Sequence, residues 1–420
     1  MPPETLPGAS STVAIIGGGQ AGSEVATLLR QNRYEGEIVL IGDEDHLPYL
    51  RPPLSKAFLA GEIDADALIY KGAPAYERAN VVLKLGVRVD DIDRGAKRLK
   101  LNDGEALSYD KLVIATGGGA RQLPVPGSKL SNIFYLRKIS DVDALRPHLK
   151  PGRRLVVVGG GYVGLEVAAV AAKQGVHVTV LEGAPRVLAR VTAPELSQFY
   201  ERVHREAGVD IRTGVSVSGF AAGPDEGSVG AVLCADGEPV AADFVLIGIG
   251  LSPNTDLAER AGLVVDGGVV VDDHSRTNDP DIYAIGDCST HAHHGFLERK
   301  IRLESVPNAL EQARAVAASI TGRDIPTAAA PWFWSDQYDL KLQMVGLSDG
   351  YDTLVLRGSP ESRSFIAFYL KGGQVIAADS VNRLGDFMAA KRLVGDKSHV
   401  APDQLADETV PLKTLIAKTL

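Results

Sequence analysis

Two glycine clusters carry the residue types best suited to holding a phosphorylated ligand. Gly17, Gly19 and Gly22 in GGGQAG, and Gly159, Gly161 and Gly164 in GGGYVG, both fit G-x-G-x-x-G. In that spacing the first glycine allows a tight turn, the second lets backbone approach a pyrophosphate, and the third lets helix and strand pack closely. The N–H groups opening the next helix then face the phosphates with about half a positive charge. Each cluster also has an acid where a ribose hydroxyl needs an acceptor: Asp43, 21 residues past Gly22, and Glu182, 18 residues past Gly164. A carboxylate at Glu182 repels a 2′-phosphate and so predicts NADH rather than NADPH. Arg186 nearby is an opposing cation, and it is expected to pair with an acid on its own loop. Two such sites in one chain imply one bound flavin and one exchanging nicotinamide.

The elements that must position these residues are readable from periodicity. Val13–Ile16 is an apolar run, a helical pattern follows (Ala21, Val25, Ala26, Leu28, Leu29), and Ile38–Ile41 is a second strand, together a βαβ unit. The same grammar recurs at Leu155–Val158, a helix through Ala172, and Val176–Leu181, an internal duplication. Three more strands end in glycine: Lys111–Ala115 into TGGG, Phe244–Ile247 into GIG with Gly250, and Ile282–Ile285 into Gly286 and Asp287. At these ends Ala115, Thr116 and Gly117 bring backbone close to a ligand. Asp287 is placed to accept from a polyol such as ribitol, or to cap a following helix. Past Thr321 and a linker near Gly322–Ala330, PWFWSDQ holds both tryptophans, and strands are expected at Leu340–Val345, Thr353–Arg357, Phe365–Tyr369 and Val375–Asp379. The fold class is therefore α/β, with two Rossmann-like dinucleotide-binding domains (FAD and NAD) and a small α+β C-terminal domain. The expected partition is residues 1–118 (FAD domain, first part), 119–247 (NAD domain), 248–328 (FAD domain, second part) and 329–420 (C-terminal domain).

Composition narrows the function classes. The chain has 420 residues, 45% hydrophobic and 23% charged, with 44 basic and 53 acidic residues for a net charge of −9. That balance argues against non-specific nucleic-acid binding. There is no run of eighteen uncharged apolar residues, and MPPETLPGASS lacks the features of an export signal, so a frayed leader and a cytoplasmic location are expected. Two distant cysteines, Cys234 and Cys288, exclude a disulfide scaffold, a CxxC pair and a cysteine-rich metal site. His291, His293 and His294 are expected in a solvated loop, with no metal.

The motifs in order along the chain (GGGQAG, RPPLSK with Arg51 and Lys56, ATGG, GGGYVGLE, EAGVDIRTG, GIGLSPN, AIGDC, ESVPNALEQAR, PWFWSDQY) carry a family resemblance. The chain resembles the FAD-dependent pyridine-nucleotide oxidoreductases with two dinucleotide-binding domains, and within them the NADH–ferredoxin reductases of oxygenase systems. The resemblance implies that FAD is held by Ala21, Asp43, Lys56, Val89, Arg137, Asp287 and Val306. It puts Lys56 near the flavin ring, where a cation favours the reduced anionic form, and Glu166 near the nicotinamide; a surface lysine and a helix cap are the plainer roles for these two. The implied reaction is hydride transfer from NADH to FAD, then single-electron transfer to a [2Fe-2S] ferredoxin that supplies a haem monooxygenase or aromatic-ring dioxygenase. Trp334 and Gln337, in a loop the resemblance places over the flavin, mark the expected exit surface, whereas Trp332 is expected to pack the third domain. Arg299, Lys300 and Arg302, partly offset by Glu298, are the candidate docking patch.

Relatives that reduce disulfides or peroxides use a redox thiol, and Pro48–Gly61 contains none. Cys288 is expected to be a small buried residue. Electrons then leave from the flavin itself. The alternatives are a rubredoxin reductase or NADH oxidase on the same scaffold, and a flavin-binding signalling protein like the apoptosis-inducing factors, against which the acidic balance argues.

Overall fold

The computed structural model describes residues 11–416 apart from 226, 236, 293–299 and 328. In chain order, the elements that matter begin with β1 (Thr12–Ile16), α1 (Gln20–Gln31), β2 (Glu37–Ile41), β3 (Val81–Lys84), β4 (Lys111–Ile114) and β5 (Ile133–Phe134). The second glycine motif brings β6 (Arg154–Val158), α2 (Tyr162–Lys173), β7 (His177–Glu182), α3 (Pro194–Glu206), β8 (Asp210–Thr213) and β9 (Phe244–Ile247). Then come β10 (Ile282–Ala284), α4 (Val306–Ile320), β11 (Trp332–Gln337), β12 (Leu340–Gly346), β13 (Thr353–Ser359), β14 (Ser364–Lys371), β15 (Gln374–Val381) and α5 (Leu384–Gly395). The chain divides into two compact units, one of Met1–Leu50, Leu68–Gly119 and Ser252–Phe333, the other of Arg51–Ala67, Ala120–Leu251 and Trp334–Leu420.

The first unit is built on a parallel sheet in the order β10-β4-β1-β2-β3. After their first residues, runs such as TVAII and EIVLI are apolar throughout because both faces of this sheet are covered. Val13, Ile15, Ile38 and Leu40 pack under α1 and α4 with Val25, Leu29, Ala313 and Val316. Their neighbours Ala14, Ile16, Val39 and Ile41 turn to the other face, against Val89, Ile92, Leu99 and Leu101 of an antiparallel meander. Each fully buried Val, Leu or Ile here contributes about 1.5–3 kcal/mol.

The second unit repeats the design. Its parallel sheet runs β8-β7-β6-β9-β5, with α2 packed on β6 and β7 and a second antiparallel meander, Val217–Ala222 with Val229–Cys234, packed on the other face. In both sheets the strand that opens the glycine turn is central and has its successor on one side and a later strand on the other. That is the crevice position where open α/β sheets bind ligands. The same unit carries the C-terminal sheet, β11-β12-β15-β14-β13, whose last four strands are antiparallel and are covered on one side by α5. Alternation along β11 buries Ser335 and Gln337 and leaves Trp334 and Asp336 half-buried.

Candidate functional site

The two glycine turns have the same internal division of labour. Gly17 sits at φ +121°, and a Cβ there would lie 2.1 Å from the Ala115 carbonyl oxygen; one on Gly22 would lie 2.1 Å from the Gly17 oxygen. In the second turn a Cβ on Gly159 would meet the Gly248 oxygen at 2.5 Å, and one on Gly164 would meet the Gly159 oxygen at 2.3 Å. At the middle positions, Gly19 and Gly161, a Cβ would meet nothing within 4 Å. The outer glycines are thus demanded by packing, and the middle ones face open space at a helix start. These cradles fit a pyrophosphate in both units.

Around the first turn, Asp43 is exposed just past β2, and Ala21 is buried in the first turn of α1. Thr116 Oγ1 donates to the Asn254 carbonyl (2.8 Å) and Asn254 Nδ2 donates back to the Thr116 carbonyl (2.9 Å), which holds the Ala115–Gly117 strand end. Gly286, at φ +74°, donates its N–H to Gln312 Oε1 (2.7 Å), and Gln312 Nε2 donates to Ser289 Oγ (2.9 Å). Gln312 therefore ties the Gly286 backbone and the Ser289 side chain on either side of Asp287, a role hidden in the sequence inside an ordinary helix pattern. Asp287 lies in a short 3-10 turn followed by the strand Ser289–Ala292, so it caps no helix. Val306 opens α4, whose N-cap Ser305 accepts from the Asn308 N–H. Val89 is buried at the start of its meander strand.

In the second turn both oxygens of Glu182 accept backbone N–H groups: Oε2 from Gly160 (2.6 Å) and Oε1 from Ala184 (2.7 Å). The carboxylate thereby ties β7 to the glycine turn. Contrary to the expectation from sequence, Arg186 pairs with no acid of its own loop; it donates to the Ala189 and Thr192 carbonyls and to Ser197 Oγ. Gly250 sits at φ +109°, and its carbonyl accepts from the Arg121 N–H.

The same unit brings Lys56 and Glu166 together. Lys56 Nζ lies 2.7 Å from Glu166 Oε2, with Lys56 17% and Glu166 3% exposed. Ser55 Oγ donates to Oε2 (2.5 Å), Ser335 Oγ donates to Oε1 (2.6 Å), and Lys56 also donates to the Pro52 carbonyl (3.1 Å). Lys56 is therefore no free surface lysine, and Glu166 is no helix cap. Three donors thus satisfy the hydrogen-bonding capacity that a buried carboxylate requires. Ser335 has no signal in the sequence, because its partner lies on another element. Arg51 and Arg137 also meet: Arg51 Nη1 donates to the Arg137 carbonyl (2.7 Å).

Several expectations are corrected. Trp334 lies on a strand rather than a loop, and Gln337 is 2% exposed and bonded inward to His204, so it is not part of an exit surface. Arg302 is paired with Glu304 at 2.6 Å, Lys300 is exposed, and Arg299 and Glu298 lie outside the described residues. His291 is on a strand paired with Ile301, not in a loop, whereas His293 and His294 fall outside the described residues. Among the described residues no cluster suits a metal, and no helix is long and apolar enough to cross a membrane. Cys288 is fully buried and burial raises its thiol pKa, as expected for a packing residue.

Residues 11–313 match the family model described as pyridine nucleotide-disulphide oxidoreductase, and residues 332–416 match that described as reductase C-terminal. The chain belongs to the pyridine nucleotide-disulphide oxidoreductase family. Within this family it is 51% identical over 412 residues to putidaredoxin reductase CamA of Pseudomonas putida, covering 97% of each chain. It is 40% identical to a rubredoxin-NAD(+) reductase of the same organism, over 88% of this chain and 95% of that one. Among solved structures, the covalent putidaredoxin reductase–putidaredoxin complex superposes with a TM-score of 0.95 at 51% identity, covering 98% of this chain and 99% of that one. Membership of this pyridine nucleotide-disulphide oxidoreductase family accounts for the paired glycine turns and for the use of FAD and NAD(H).

Proposed function

We propose that this protein is an NADH-dependent flavoprotein reductase that passes electrons from NADH through FAD, one at a time, to a [2Fe-2S] ferredoxin. That ferredoxin would supply a haem monooxygenase or an aromatic-ring dioxygenase. The observation that carries this reading is 51% identity to a putidaredoxin reductase along 97% of both chains. The chain's own features agree: two glycine turns with open middle positions, and no thiol in the Pro48–Gly61 segment.

The bound cofactors supply hydride transfer and single-electron release. In this reading Gly17, Gly19, Ala21 and Gly22 hold the FAD pyrophosphate, Asp43 accepts from its ribose, and Asp287 accepts from the ribitol. Ala115, Thr116, Gly117 and Gly286 bring backbone close to the cofactor; Arg51, Val89, Arg137 and Val306 complete its surroundings, and Gly250 serves the strand end that adjoins the second turn. Gly159, Gly161, Gly164 and Glu182 take NADH. Lys56 presents its ammonium to the flavin ring while Glu166 holds it, and Trp334 lies on the electron exit path. The partition at residues 118, 247 and 328 and a cytoplasmic location belong to the same reading.

The second reading, a rubredoxin reductase, is favoured by 40% identity to such an enzyme. Anaerobic stopped-flow decides between them. The NADH-reduced protein should reduce an oxidised [2Fe-2S] ferredoxin much faster than oxygen reoxidises it. Fast transfer to rubredoxin with none to ferredoxins would favour the second reading, and no reduction by NADH would overturn both.

A further inference from the structure

Glu166 terminates a hydrogen-bond chain that the roles above leave unused. Ser335 Oγ donates to Glu166 Oε1 (2.6 Å), and Gln337 Nε2 donates to Ser335 Oγ (3.2 Å). Gln337 Oε1 faces His204 Nε2 at 2.8 Å, and the Tyr338 hydroxyl lies 3.0 Å from His204 Nδ1. An amide oxygen only accepts, so His204 Nε2 carries the hydrogen. Burial pushes His204 down to about 4, which keeps the ring neutral and Nδ1 bare near neutral pH; the Tyr338 hydroxyl is then the donor. Burial raises the Tyr338 phenol, so it keeps its proton.

Every hydrogen in the chain therefore points toward Glu166. Aligned hydrogen bonds polarise one another in a low-dielectric interior, and their dipoles all favour negative charge at the far end. Ser335, Gln337 and His204 are 1%, 2% and 0% exposed, and half-buried Tyr338 forms the outer end. Tyr338 is held at φ +55° in the turn between β11 and β12, with its ring edge-on to His204 at 5.0 Å. From the other side Lys56 and Ser55 donate to Oε2. Tyr162 and Tyr200 also feel the Glu166 charge.

We propose that Ser335, Gln337, His204 and Tyr338 are positioning residues whose aligned hydrogen bonds hold Oε1 of Glu166, leaving Oε2 to fix the Lys56 ammonium that sets the field at the flavin. The inference rests on the placement of Lys56 beside the flavin given under the proposed function. It makes the flavin potential sensitive to residues that do not touch the cofactor.

The test uses the FAD-loaded enzyme. Gln337→Glu turns the donor to Ser335 into an acceptor, so Ser335 gives its hydrogen to the new carboxylate and Glu166 draws Lys56 onto both of its oxygens. The flavin midpoint potential, measured by dye equilibration without NADH or ferredoxin, is expected to fall. Ser335→Ala is expected to lower it too. The double variant should fall no further than Ser335→Ala alone, because Gln337 acts through Ser335. Tyr338→Phe, at the half-buried end, should give a smaller fall of the same sign and keeps the test available should Gln337→Glu not fold. Nitrogen NMR of isotope-labelled histidines should find His204 neutral and protonated on Nε2 at neutral pH. A charged His204, a hydrogen on Nδ1, or wild-type potentials in all these variants overturns the proposal. A wild-type enzyme unable to reduce a [2Fe-2S] ferredoxin would overturn the functional reading instead, and the potentials and the His204 tautomer would still decide the chain.

Discussion

Lys56 Nζ lies 2.7 Å from Glu166 Oε2, joining the RPPLSK segment to the fifth residue of the helix after the second glycine turn. Removing one partner of a buried pair leaves the other charge uncompensated, at a cost of about 3–5 kcal/mol. Lys56→Met should therefore destabilise the protein by that amount in denaturant unfolding. Glu166→Gln removes the buried charge itself and should cost clearly less. Equal losses in the two variants would mean that Glu166 carries no buried charge.

The open middle glycine separates binding from folding. Gly161→Ala places its methyl where no atom lies within 4 Å, so the protein should fold and bind FAD normally. Its KM for NADH should rise about tenfold or more, because the new methyl occupies the approach of the pyrophosphate. Gly159→Ala would force its Cβ to 2.5 Å from the Gly248 oxygen at φ +109° and should cut stability as well. Steady-state kinetics beside thermal unfolding reads both effects; an unchanged KM in Gly161→Ala would remove that glycine from the nucleotide site.

Glu182 accepts from both Gly160 and Ala184, so under the proposed function nucleotide choice and the shape of the turn depend on one carboxylate. Glu182→Gln retains one acceptor and loses the charge that repels a 2′-phosphate. The ratio of kcat/KM for NADH over NADPH should drop about tenfold, a difference of ~1.4 kcal/mol. A ratio unaltered by this change would leave the NADH preference without its proposed cause.

Asp379 supplies a pH test of the fold. Its carboxyl accepts from Tyr369 (2.6 Å) and Thr192 (2.8 Å), and burial raises its pKa to about 6 from 3.8. Tyr162 and Tyr200 also feel its charge. The folded state then binds this proton more tightly than the unfolded state, so the Asp379 contribution weakens as pH rises from about 4 to about 6 and stays constant above. The shift corresponds to about 3 kcal/mol. Relative to wild type, Asp379→Asn should gain that much stability between pH 4 and pH 7. Parallel stability curves for the two proteins would refute it.

Much of this molecule is legible along the chain because its chemistry is local there. A strand, a glycine turn, a helix and an acid at the next strand end form one continuous stretch, so β1 to β2 and β6 to β7 are each readable as a unit, and Phe244–Ile247 coincides with β9. The strand Trp332–Gln337 was less visible, since its aromatic run hides the alternation that buries Ser335 and Gln337. The partners of Arg186 are not legible because two of them are backbone carbonyls, which are present at every position and leave no mark in a sequence.

The duplicated α/β design, the two glycine turns, the acids that follow them and the absence of a thiol near RPPLSK are all set by residue type and short spacing along the chain. Only packing brings together side chains from separate elements: Lys56 and Ser335 with Glu166, Gln337 with His204, and Asp379 with Tyr369 and Thr192. The reason is physical. A hydrogen bond or ion pair depends on distances of a few ångströms, and residues far apart in the chain reach them only once sheets and helices have packed.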